Sequence, residues 1–416
     1  MADDRVAVHV LSRAGDLFQA SGADTAHALR HVREASSRLG IDSDVMITME
    51  NIVVTVEQGD RFATRVGPRL APPGVDMGRL IALRAAIAEI VPGTSPAAFD
   101  ASLDRVDHSP RYPGWLVVLG MATTAAALAR LFGATWTVVA ASFVAGLVNL
   151  LLRTRLGKYG MNGIAVAAIT AFVSGVAGVL VLKPFPGVSP VLCLTAAGMI
   201  LVPGVPLING VRDLVTGHAA NGISRLATGV ATLMAIGLAL LAAAASTGGT
   251  LPVDASPVAL GLAEDVAFAG VAALGFALLF NVPAHAVWIC VVCGMASHGL
   301  RTALQHAGLD LAAASLAGTL AAGAIARVAT RRIAAPAVAF AFAGTVALIP
   351  GSYGFRTAVG AIEIMQAGGT ATPGLLATTV SLAITTLVVT LAIATGLCVA
   401  LAGESAHRHG RTPSLP

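Results

Sequence analysis

The sequence predicts a polytopic α-helical membrane protein: about ten transmembrane helices in a five-plus-five inverted repeat, behind a small N-terminal cytoplasmic α+β domain. Three observations carry this. From Trp115 onward, apolar residues gather in runs near the roughly 20 that a membrane helix needs. Charged residues make up 12% of the 416, about half the soluble norm of roughly 25%, and mean hydropathy is +0.80. A Pro-Gly break also occurs twice, at Pro203-Gly204 and at Pro350-Gly351, in matching places of the two halves.

Residues 1–112 read as the α+β domain. Stretches 6–20 and 24–39 carry apolar residues at helical spacing, with Arg30, Arg33 and Glu34 on the opposite face. Runs 45–49, 52–56 and 61–66 are rich in β-branched residues. Turn signals at Glu50-Asn51 and Gln58-Gly59-Asp60 separate them, which predicts three short strands. Helices over 77–90 and 95–107 follow, with Asp76 and Ser95 as caps and Pro92-Gly93 between them. No nucleotide loop, nucleophile elbow or metal spacing occurs here. His31 and His108 read as lone surface histidines. Asp100, Asp104 and Asp107 share one helix face, read as solvated rather than as a cation or proton entry patch. The N-terminus lacks a basic stretch followed by an apolar one, so no signal peptide is expected.

The first membrane repeat occupies 113–250, with spans at 115–129, 136–152, 163–182, 189–208 and 226–245. The second occupies 251–403, with spans at 266–280, 284–297, 311–329, 333–349 and 375–401, and 404–416 form a cytoplasmic tail. At an offset of about 147 residues, Leu131-Phe132 falls on Leu279-Phe280, Gly146 on Gly294, and Val202-Pro203-Gly204 on Ile349-Pro350-Gly351. Five spans per half insert the second copy upside down, as in many secondary transporters. Arg153, Arg155, Lys158, Arg212, Arg225, Arg327, Arg331, Arg332, Arg408 and Arg411 gather on one side, while Arg130, Lys183, Arg301 and Arg356 stand singly opposite. The positive-inside rule then puts both termini in the cytoplasm. It also accounts for the net charge of +4 without nucleic acid.

Each Pro-Gly ends an apolar run too short to cross a bilayer, 188–202 and 336–349. Proline removes a backbone donor and glycine lets the chain turn. Paired interruptions of this kind point to a transporter's binding site. The candidates at the first break are Pro203, Gly204, Pro206 and Asn209, followed by Asp213 and Arg225. At the second they are Pro350, Gly351, Ser352, Tyr353 and Arg356, followed by Glu363. Asp213 and Glu363 lie ten and thirteen residues past their prolines, where a membrane carboxylate can load and unload protons. The plainer alternatives are pairing of Asp213 with Arg212 or Arg225, and an exposed helix face for Glu363. Arg356 suits a bidentate clamp on a substrate carboxylate, or an interfacial anchor. Asp254, Glu264, Asp265 and Asp310 read as loop-side and water-facing. Asn149, Asn162, Thr195, Asn281, His285 and His298 are weaker candidates, since single polar residues often only join helices. Cys193, Cys290, Cys293 and Cys398 all lie inside apolar runs, and the Cys290/Cys293 pair reads as packing. No HExxH or GxSxG motif occurs. The expectation is therefore no enzyme, no metal and no cofactor.

The stretches VPGVPLINGVRDLVTGHAANGISRL and LIPGSYGFRTAVGAIEIMQAG, each within five spans and behind an α+β domain, resemble the threonine/serine exporter family over essentially the whole chain. The residues around Pro203, Gly204, Pro206, Asp213, Gly222 and Arg225 are the most specific part. The resemblance implies amino-acid efflux across the inner membrane, driven by the proton motive force. Its partners would be an amino acid, protons and the bilayer, with a homo-oligomer allowed. Some relatives split the halves into two chains linked to dicarboxylate export, which leaves a succinate-like substrate as the alternative. A membrane sensor or an intramembrane enzyme ranks below both.

Overall fold

A computed structural model describes residues 2–58, 61–67, 74–253, 260–330 and 337–402 and places them in two units. The first unit contains Met1–Tyr112, Asn209–Leu226 and Phe280–Pro283, and the second holds the rest.

In the first unit, α1 (Ala2–Ala20) and α2 (Thr25–Arg38) precede strands β1 (Asp42–Ile47), β2 (Ile52–Gln58) and β3 (Arg61–Val66). Helices α3 (Met77–Ala88) and α4 (Pro96–Asp107) follow. The sheet is antiparallel in the order β1-β2-β3, with Val45 opposite Val54 and Val54 opposite Arg65. Alternation puts Val45, Ile47, Ile52, Val54 and Val56 in the core. Gly15 of α1 leaves the space that the Ile52 side chain fills. Asp24, Asp76 and Ser95 each accept a backbone N–H as N-caps, which is why α2, α3 and α4 start where they do.

Three local readings change. Strand β1 starts at Asp42 and ends at Ile47, because Thr48 Oγ1 accepts from the N–H groups of Glu50 and Asn51 and turns the chain early. His31 is buried rather than a surface residue; it stacks on Phe18 with ring centroids 5.4 Å apart and contacts Glu34 at 3.1 Å. Asp100, Asp104 and Asp107 are not simply solvated either. Arg13 reaches all three, at 2.8, 2.6 and 2.9 Å, and ties α1 to α4.

The remaining helices are α5 (Gly114–Leu131), α6 (Trp136–Gly157), α7 (Gly163–Leu182), α8 (Val191–Met199), α9 (Gly204–Val215), α10 (Ala219–Ser246), α11 (Leu262–Leu279), α12 (Val287–His306), α13 (Leu311–Ala329), α14 (Ala337–Thr345), α15 (Gly351–Ala367) and α16 (Pro373–Leu401). The division between the units falls within α9 and within α10. Among the described residues, eight helices are long and apolar enough to cross a membrane. The number rises to ten if the bent pairs α8–α9 (55°) and α14–α15 (47°) each count as one span. Each span expected from the sequence falls on one of these. Residues 333–336 of the ninth, with Asp254, Arg331, Arg332, Arg408 and Arg411, lie outside the described residues.

Small residues let the helices of the second unit approach closely. Gly146 of α6 packs on Ala122 and Ala125 of α5, and Gly294 of α12 packs on Ala269 and Ala273 of α11. The four cysteines are free thiols, and Cys290 and Cys293 are buried in helix packing.

Candidate functional site

The two matching Pro-Gly breaks, Pro203-Gly204 and Pro350-Gly351, sit where helices restart. Helix α8 ends at Met199 and α9 begins at Gly204, which puts Pro206 in the first turn, where backbone N–H groups have no helical acceptor to lose. Helix α14 gives way to a 3-10 turn over Val346–Leu348, and α15 begins at Gly351. The two breaks touch reciprocally. A Cβ on Gly204 would collide with Ile349, and a Cβ on Gly351 would collide with Val202. Glycine at both positions lets the chains come this close without moving either side chain.

Beside the second break lies a cavity of about 250 Å³, lined in part by Pro350, Ser352 and Tyr353. Its other wall carries Asp265 from α11 and His298, Arg301 and Thr302 from α12. Residues 298, 301 and 302 share one face because i, i+3 and i+4 fall together on a helix. Asp265 Oδ2 lies 2.7 Å from His298 Nδ1 and accepts from Thr302 Oγ1 at 2.9 Å. On the far side of the imidazole, Arg301 Nη2 lies 2.6 Å from His298 Nε2. A guanidinium can only donate, which makes Nε2 the acceptor and leaves the ring proton on Nδ1, facing Asp265. His298 is therefore a neutral bridge between an anion and a cation. Arg301 Nε is buried with no acceptor, and Asp265 Oδ1 takes no hydrogen bond from any described residue. Both charged residues line the same cavity.

Asp265 is not a water-facing loop residue: it is 5% exposed and is held by two donors. Glu264 pairs with Arg130, and Asp310 caps α13. The signal that could have marked this group is the i, i+3 pair His298/Arg301 inside an apolar helix, since ionisable groups there are costly.

The polar residues after the first break are placed in the first unit. Asp213 is fully buried; it accepts from Thr25 N and Oγ1 at 2.9 and 3.0 Å and from Arg225 Nε at 2.9 Å. Arg225 also donates to Gln19 Oε1 and to the Ala23 carbonyl. Asn209 donates to the Gly22 carbonyl, Asn221 to Thr25 Oγ1 and the Ile47 carbonyl, and Arg212 pairs with Asp24 at 2.9 Å. Burial pushes the Asp24 carboxyl up, but Arg212, His27 and a backbone N–H together hold it below its ordinary range. The ion-pair alternative weighed for Asp213 is the arrangement present. Asn209, Asp213 and Arg225 together with Arg212 and Asn221 hold the α1–α2 loop.

At the second break, Ser352 and Tyr353 line the cavity, while Arg356 is buried and donates Nε and Nη2 to the Val253 carbonyl. Glu363 is half-buried further along α15 and does not line the cavity. Among the described residues no cluster of three or more His, Cys, Asp or Glu could hold a metal ion.

A family model described as "Putative threonine/serine exporter" matches residues 9–247, and a second, "Threonine/Serine exporter, ThrE", matches residues 265–402. The chain is 33% identical over 127 residues to "Probable succinate transporter subunit YjjP" of Klebsiella aerogenes, covering 30% of this chain and 48% of that protein. It is 31% identical over 135 residues to the Escherichia coli protein of the same name, covering 30% and 53%. The chain thus spans about half the length of the curated relatives it matches. No solved structure matches.

Proposed function

The chain belongs to the threonine/serine exporter family, and from that membership we propose a multi-pass secondary exporter of small polar amino acids, threonine and serine foremost. In this reading it is driven by the proton motive force across the inner membrane, with both termini in the cytoplasm.

The observation that carries the substrate class is the pair of opposite charges in one cavity. Arg301 offers donors to a carboxylate, and Asp265 offers an acceptor to an ammonium, one imidazole away. A zwitterionic α-amino acid matches both. Thr302, Ser352 and Tyr353 supply hydroxyls for a polar side chain. A volume of about 250 Å³ lies below the roughly 300 Å³ at which sites for drug-sized ligands begin. Small solutes fit it. The names of the two relatives favour a dicarboxylate as the second reading. A dicarboxylate would set one of its charges against Asp265, which is why it ranks lower.

The reciprocal contact of the two breaks supports the inverted repeat. Under an offset of 147, Val202 corresponds to Ile349 and Gly204 to Gly351, which makes Gly204–Ile349 and Gly351–Val202 the same contact made twice. A pseudo-two-fold axis generates that pattern. Within each half, Gly146 of α6 packs against α5 as Gly294 of α12 packs against α11, one helix contact present in both copies. Alternating access by rocking one repeat against the other then pivots on the breaks, beside the cavity.

Proteoliposomes loaded with labelled threonine, serine or succinate, with and without an imposed proton gradient, test the proposal. Gradient-stimulated efflux of threonine and serine is expected, with Arg301→Gln reducing it at least tenfold. Succinate efflux alone would favour the second reading. Absence of flux for all three solutes would overturn export.

A further inference from the structure

We propose that His298 is the proton-loading group of the exchange, and that a proton on its Nε2 and an amino acid in the cavity exclude one another. This rests on the export reading and goes beyond it by naming the group and the mode of coupling.

The argument starts from the tautomer. Nε2 is an acceptor only because Arg301 donates to it. A proton taken up from water at Nε2 gives an imidazolium that can no longer accept, and the two cations would stand 2.6 Å apart. Arg301 has to leave. Its Nε has no acceptor to hold it in place, and among the described residues its hydrogen bonds go only to His298. The same proton turns His298 and Asp265 into an ion pair across the 2.7 Å bond, and the pair as a whole then presents no net charge to a substrate ammonium. Protonation therefore removes the position of the carboxylate anchor and the counter-ion of the ammonium in one step. Loss of the proton restores both. Proton and substrate alternating on one site is the logic that antiport requires.

The other charged and titratable groups around His298 leave the role to it. From α11 come Asp265, already bonded, and Glu264, neutralised by Arg130. Helix α12 contributes Arg301, the buried thiols of Cys290 and Cys293, and the exposed His306, which also lines the cavity and is the rival that the experiment has to separate from His298. Helix α15 contributes Tyr353 and Arg356, the latter on the Val253 carbonyl. The described part of α14 has no titratable residue, and α13 carries only Arg327, which donates to the Ala400 carbonyl. Asp213 is locked in a buried pair with Arg225, and Glu363 lies off the cavity.

The test uses the full-length protein in detergent, with threonine as the probe. Binding is measured between about pH 5 and 8, and proton release on threonine addition is followed with an indicator dye in weakly buffered solution. Competition predicts that the apparent Kd rises about tenfold per pH unit below the titration of the site, with up to one proton released per threonine bound. His298→Gln should show a flat pH profile of threonine binding, at whatever affinity it retains, release no proton, and lose gradient-driven efflux. His306→Gln should behave as wild type. Wild-type proton release persisting in His298→Gln, or lost in His306→Gln, would overturn the assignment, as would tighter binding at low pH. Should His298→Gln fail to fold, an unchanged wild-type Kd across that pH range would overturn it equally. Wild type that binds and carries neither amino acid instead overturns the export reading, and this inference with it.

Discussion

Asp16 carries a cost that neutral pH reveals. It lies on α1 with Oδ1 buried and unpartnered, and burial pushes its carboxyl up to about 6, Arg65 pulling only partly the other way. A carboxyl raised in the folded state contributes stability that is present below its unfolded value and is lost as pH rises through about 6. Asp16→Asn should therefore raise the unfolding temperature of the purified protein at pH near 7.5, by on the order of 1 kcal/mol in stability, with little change near pH 4. An equal shift at both pH values would show that the effect is not ionic. Single residues were also where the sequence was least legible. Asp265 and Arg301 looked like loop-side charges because α11 and α12 each continue past the apolar stretch that defines a span. His298 looked like a helix-joining polar group. Its meaning depends on Asp265, 33 residues away on another helix, and no local pattern encodes that approach.

At the scale of elements, much more was legible, because caps and hydrophobic runs are local. Asp76 and Ser95 marked helix starts, and the apolar runs marked the spans. The Pro-Gly pairs marked both bends, but not that the bends touch. That contact gives a prediction of unequal cost. Gly204→Ala would press on Ile349 Cδ1, the end of a flexible side chain, whereas Gly351→Ala would press on both γ-carbons and the Cβ of the stiff Val202. Overpacking of this sort costs about 1–3 kcal/mol, and Gly351→Ala should fall at the upper end. Ile349→Val should rescue Gly204→Ala, and Val202→Ala should rescue Gly351→Ala, in both thermal stability and threonine efflux. Failure of the second-site changes to rescue would mean that the alanines act through backbone freedom instead.

At the scale of the molecule, the first unit is assembled from distant parts of the chain, and only one of those parts was legible as a domain. Residues 1–112 announced themselves by composition. The membership of Asn209–Leu226 did not, because Asn209, Asp213 and Arg225 read as transport residues and Arg212 as a loop charge. Their partners lie on Gln19, Gly22, Ala23, Asp24, Thr25 and Ile47, and the Asp213–Arg225 pair at the centre is 0% and 1% exposed. A buried pair adds little net stability while intact, but removing one partner leaves an uncompensated charge and costs about 3–5 kcal/mol. Asp213→Asn should accordingly lower the stability of the first unit by that amount. The Asp213→Leu/Arg225→Met double variant should lose less than Asp213→Asn alone, because no charge is left stranded. A protease site inserted between Tyr112 and Pro113 makes the same point without denaturation. After cleavage of otherwise wild-type protein, the fragment ending at Tyr112 should co-elute with the remainder on size exclusion, held through residues 209–226 and through the hydrogen bonds that Tyr112 donates to the Val282 carbonyl and Asp76 accepts from Asn281. In Asp213→Asn it should separate at least in part. Clean dissociation in the wild type would show that these contacts are too weak to bind the fragment, and that the covalent link alone keeps it in place.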